Sequence, residues 1–160
     1  MRPPEGQPPG SKRQQLERLP GRYAVGRLDP GEPIPEWASP ERAGPSPAPV
    51  TPDHRNSPYL FNVTRTDREL SIVIEESLVP PEPPGTKIER GFVALRIAGT
   101  LEFSQVGIIA MLTAALAAAE IPVFVISTFE TDYVLVNSDD EHAAINALQR
   151  AGVAMQQADP

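Results

Sequence analysis

The chain has 160 residues, a formal net charge of −7, twenty prolines and no cysteine. Without a thiol there is no disulfide, no thiolate nucleophile and no zinc–thiolate site. The acid excess argues against a nucleic-acid backbone as partner, because such binding rests on basic groups that neutralise phosphates.

Fourteen of the twenty prolines fall within residues 1–58. Residues 1–18 carry few apolar side chains and are expected to form a disordered tail. Gly21 to Leu28 reads as a short strand, followed by the turn Asp29-Pro30-Gly31. Pro35-Glu36-Trp37 suits one helical turn, with Trp37 as an aromatic lid on a small core. Residues 38–58 read as a Pro-rich loop. Two strands are expected near Tyr59–Thr64 and Glu69–Ile74, then a short helix over Glu75–Leu78. Val79–Gly85 holds four prolines and must be a loop.

Residues 86–155 give a clearer pattern. Phe92–Ala98 alternates as a strand, with Val93, Leu95 and Ile97 on one face and Arg96 on the other. Ser104 suits the N-cap of a helix over Gln105–Ala119 whose sheet-facing side is Ile108, Met111, Leu112, Ala115 and Ala119. So apolar a helix calls for cover on a second side, from the other half or another subunit. Ile121–Ile126 and Tyr133–Val136 are β-rich runs joined by the polar loop 127–132. Ser138-Asp139-Asp140-Glu141 has the form of a capping box before a helix striped by Ala144, Ile145, Leu148 and Ala151, with Gly152 as its stop. Val153–Met155 is available as a last strand, and residues 156–160 form a tail.

The order β-α-β-β-α-β is a ferredoxin-like α+β arrangement, with both helices on one face of the sheet. Shifted by 63 positions, the segment 61–73 lies on 124–136 without a gap, placing Phe61 on Phe124, Val63 on Ile126 and Glu69 on Asp132. Residues 19–85 therefore read as a truncated, degenerate copy that packs against the second half.

Glu69-Leu70-Ser71-Ile72-Val73, the Gly99-x-Leu101-Glu102-Phe103-x-x-x-Gly107 segment and the run from Ile126 to Val136 resemble the paired ACT domains of the CASTOR-like family. That family includes small bacterial ACT proteins, relatives of aspartate-kinase ACT regions, and cytosolic arginine sensors. The resemblance spans roughly Leu19 to Gly152, and it departs from the family where a usual Asp is Glu102. It implies a regulatory module that binds a small ligand, often an amino acid, between domains or subunits. Carried over, Thr128 and Phe129 offer backbone contacts, Asp132 meets an amino or guanidinium group, and Gly107 lies near the ligand backbone. Ser127, Glu102 and Glu69 complete the candidate ligand-binding set.

Structural roles fit several of the same residues. Asp132 and Thr128 could each satisfy the amides of their own loop, Glu102 could cap a helix, and Gly107 could allow close helix–sheet packing. His54 and His142 have no partner at metal spacing, and no catalytic constellation or phosphate loop is visible, so no metal, no cofactor and no enzymatic activity are expected. The most apolar stretch, Val106–Ala119, is too short to span a bilayer, and no apolar run follows the N-terminus, which points to a cytoplasmic protein. The expected function is non-catalytic binding of an amino acid. The alternative is an assembly module without a ligand, acting as a homodimer or on a regulatory protein.

Overall fold

A computed structural model of the chain describes residues 14–39, 59–99 and 106–156. Eight strands form one sheet: β1 (Gln15–Arg18), β2 (Tyr23–Leu28), β3 (Asn62–Arg65), β4 (Leu70–Glu75), β5 (Lys87–Ile97), β6 (Phe124–Ser127), β7 (Asp132–Asn137) and β8 (Ala154–Gln156). Among the described residues two α-helices, α1 (Ile108–Ala118) and α2 (Glu141–Arg150), follow β5 and β7. One-turn 3-10 helices lie at Glu36–Ala38, Glu76–Leu78 and Ser138–Asp140.

Alternation along the strands builds two layers of core. On one face Val93, Leu95, Ile97, Val134 and Val136 are buried beneath Leu112 and Leu116 of α1 and Ala144 and Leu148 of α2. Full burial of each such leucine is worth about 1.5–3 kcal/mol, which outweighs the helix propensities involved. On the same face of the first half, Ala24, Leu28, Leu70, Ile72 and Ile74 pack against Trp37 and Ala38. Trp37 thus stands where the second half has a helix. Gly26 makes room for Ile88 and Thr86 beside it, since a Cβ there would lie 3.2 Å from Ile88 Cδ1 and 3.3 Å from Thr86 Cγ2, with the indole at an ordinary 3.8 Å. The other face joins the halves through Leu19, Tyr23, Leu60, Val73, Ala94, Ile126 and Leu135.

β2 and β5 pair antiparallel at the centre, with Tyr23 opposite Phe92. Around that pair the halves are related by a local two-fold, and the repeat is cleaner in space than in sequence. β3, β4 and the turn Glu76–Leu78 correspond to β6, β7 and the turn Ser138–Asp140 at a shift of 62 throughout. The shift of 63 is therefore corrected by one residue. Glu69 falls on Thr131 and buried Leu70 falls on Asp132. A one-residue slip would reverse every side chain's face, and the core permits only one choice.

Other expectations also change. Gln15–Arg18, assigned to the tail, is a strand that pairs with β5 on one side and, in parallel, with β8 on the other. Leu16 is fully buried beneath the helices, which holds β1 in place. α1 begins at Ile108, not Gln105, because Gly107 adopts φ 83° at its N-cap. Ser104 and Glu102 lie outside the described residues, as do residues 40–58 of the Pro-rich loop. The capping box does not form. Asn137 accepts from the Asp139 N–H at 2.9 Å, while Glu141 turns to Arg18, Nε–Oε1 2.5 Å and Nη2–Oε2 3.4 Å. The stripe of α2 is Ala144, Ala147 and Leu148, with Ile145 half-buried and Ala151 exposed.

Candidate functional site

The turn between β6 and β7 is closed by bonds between Thr128 and Thr131. The Thr128 N–H and hydroxyl both donate to the Thr131 carbonyl, at 3.0 and 2.7 Å. Thr128 Oγ1 accepts the Thr131 N–H at 3.3 Å. The Thr131 hydroxyl donates to the Ile97 carbonyl at 2.8 Å, tying the turn to the end of β5. With 7% exposure, Thr131 is the buried polar side chain among the described residues. Thr128 therefore performs the turn-closing role that Asp132 was equally suited to. Phe129 stands at the tip, 79% exposed.

Beside this turn lies a cavity of about 440 Å³ lined by Arg96, Gly99, Thr128, Phe129, Glu130, Thr131 and Tyr133. Arg96 and Tyr133 are cross-strand neighbours, and the Glu17 carboxylate accepts from Arg96 Nη2. Burial opposes the guanidinium's charge, but Glu17 and the Tyr133 hydroxyl outweigh it and hold Arg96 above the ordinary arginine range. The wall thus presents one compensated cation, one carboxylate, three hydroxyls and two aromatic rings.

The expected residues divide. Thr128 and Phe129 line the cavity. Ser127 and Asp132 are directly opposite each other and, by alternation with Val125 and Val134, sit on the helix-covered face instead. Asp132 makes no ion pair among the described residues. Gly107 is exposed, and a Cβ there would meet no described atom within 4 Å, so its positive φ is what requires glycine. Glu69 lies at the opposite end of the sheet, 3.9 Å from Arg27 Nε.

That far turn is the counterpart of the first. The Thr66 N–H donates to Glu69 O at 2.9 Å, and Arg27 holds the position of Arg96, opposite Ser71. There the space is bridged: Arg27 meets Asp29 at 3.5 Å and Arg65 Nη2 donates to Glu32 O at 2.9 Å. Sequence reasoning missed Gly99, Glu130, Thr131 and Tyr133 as wall residues. Arg96 gave a signal, a lone cation in an apolar strand, and its face was read correctly.

Residues 87–150 match the ACT domain family model. The protein Atu0741 of Agobacterium tumefaciens is similar over 94% of this chain and 97% of its own, with 28% identity and a TM-score of 0.73. A Vibrio cholerae protein described as a possible transport protein of unknown function covers 87% of this chain and 90% of its own, at 18% identity and TM-score 0.58. Aspartate kinase from Synechocystis matches 92% of this chain with 28% of its own length, at 13% identity and TM-score 0.60. The low-identity matches establish the fold: an ACT-type ferredoxin-like sheet with two helices on the second half. No helix among the described residues is long and apolar enough to cross a membrane.

Proposed function

We propose that this chain is a non-catalytic regulatory module that binds one small polar ligand, an amino acid, at the turn Thr128–Asp132. The observation that carries the reading is the internally closed turn beside the cavity. Thr128 and Thr131 bond to each other and to Ile97, and the wall offers the Glu130 carboxylate, the Arg96 guanidinium and the Tyr133 side chain to a ligand. About 440 Å³ lies within the ~300–1,000 Å³ usual for small-molecule sites. By the resemblance to CASTOR-like proteins the partner for a cationic group is Asp132, which lies on the other face of the same strand, so a ligand held there occupies the helix-covered face in place of the cavity. Only the second half is proposed to bind, because the first has Leu70 and Ser71 where the second has Asp132 and Tyr133.

Thermal unfolding against each of the twenty amino acids at millimolar concentration tests this. A ligand at about a hundred times its Kd adds about 2.7 kcal/mol, or several degrees. Loss of the shift in Glu130→Gln and Tyr133→Leu places the ligand in the cavity, and loss in Asp132→Ala places it on the helix-covered face. No shift with any amino acid would refute the reading. The assembly alternative rests on α1, which has no charged residue and leaves Ala110, Ala114 and Ala117 exposed. Size that rises with concentration, unaffected by any amino acid, would favour it.

A further inference from the structure

The far end of β6 carries a second recess that the ligand reading does not use. It offers about 580 Å³ lined by Phe92, Pro122, Val123, Phe124, Asn137, Asp139 and Asp140. Both rings are half-buried, so an apolar floor faces outward. Neither aspartate takes part in an ion pair among the described residues. In the first half, Leu60 corresponds to Pro122, and it packs with Tyr23, the counterpart of Phe92. That counterpart region is filled by Leu60, and no described residue fills the recess at β6.

β6 pairs only with β7 among the described strands. The Thr128–Thr131 bond fixes the ladder's phase, and alternation then turns the main-chain groups of Val125 and Ser127 outward. A strand edge with no second partner among the described strands, an apolar floor and two carboxylates outside any described ion pair occur together. We infer that the β6 edge docks an extended segment of a partner protein, which adds a strand beside Val125. An apolar side chain of that segment rests on Phe92 and Phe124, and a basic one meets Asp139 and Asp140. Main-chain bonding gives affinity, and the alternate apolar and basic positions give specificity. β6 is about 13 Å long and runs directly into the turn Thr128–Thr131, so the docking edge and the proposed ligand turn are two ends of one strand.

The test does not require any ligand of the turn. Fluorescence anisotropy is measured with a labelled extended peptide carrying leucine and arginine two positions apart, so that both face the recess, and with its leucine–glutamate counterpart. The arginine peptide is expected to bind saturably and the glutamate peptide not at all. Val125→Pro removes an outward donor while leaving the ladder to β7 intact, and is expected to abolish binding. The double variant Asp139→Asn, Asp140→Asn is expected to weaken it roughly fivefold to tenfold, as two exposed ion pairs can supply. Circular dichroism confirms that both variants fold. Equal binding of the two peptides, unchanged binding in both variants, or no saturable binding would overturn the inference. So would sedimentation showing that Val125→Pro instead dissolves a dimer of this chain.

Discussion

Thr131→Val removes one hydroxyl and nearly preserves the side chain's shape, so its cost isolates the tie between the turn and β5. The hydroxyl donates to the Ile97 carbonyl at 2.8 Å from a site that is 7% exposed. The lost hydrogen bond is worth about 0.5–1.5 kcal/mol, and depriving a buried carbonyl of a partner adds a desolvation cost of similar size. Together these predict a loss of about 1.5–2.5 kcal/mol. Urea titration should show a lower midpoint with an unchanged slope, because the surface exposed on unfolding is the same. The melting temperature should fall by roughly 5–10 °C. Thr131→Ser keeps the donor and loses a methyl, so it should cost under about 1 kcal/mol. If valine costs less than about 0.5 kcal/mol, or serine as much as valine, the hydroxyl does not anchor the turn.

Two further outcomes are expected. Gly107→Ala should destabilise by about 1–2 kcal/mol through backbone conformation alone, with Gly107→Asn milder; urea midpoints check both, and an alanine variant as stable as the parent would contradict the reading. Burial, and next the Glu75 carboxylate, push the Tyr23 hydroxyl up to about 12 from 10.0. The folded state therefore favours the protonated ring, and this contribution is complete below pH 10 and lost as pH rises through 12. The difference corresponds to about 2.7 kcal/mol, reduced to about 1–2 kcal/mol by solvent screening at the hydroxyl end. Between pH 10 and 12, Tyr23→Phe should lose correspondingly less stability than the parent; parallel curves would refute the assignment.

Elements governed by local period were legible in the sequence. The hairpin of β6 and β7, the one-turn helix at Trp37 and the alternation that sets Arg96 apart from Val93, Leu95 and Ile97 all follow from side chains a few residues apart. What depends on distant partners was not. Glu141 fits a capping box until Arg18, 123 positions away, claims its carboxylate. Gln15–Arg18 has too few apolar residues to announce a strand, and only the burial of Leu16 under the helices makes it one. The cavity wall was half legible: Thr128 and Phe129 stand in a conspicuous polar loop, whereas Tyr133 joins it through its pairing with Arg96 and Gly99 by following the end of β5. Asp132 was recognised as a residue of interest, but its face depended on the register, which the sequence repeat misjudged by one position.

The place of β1 has a consequence for how the chain can be divided. Its four residues precede the first half in sequence, yet they sit between β5 and β8, within the second half's portion of the sheet. From β1 to β8 the described chain thus starts in one unit, crosses to build the other, and returns to the first. A fragment starting near residue 86 would leave β8 with no neighbour and one edge of β5 bare, and a fragment ending there would carry an orphaned strand. The two halves are laced together by their order of threading, so neither is a separable part in the way a boundary drawn along the sequence suggests.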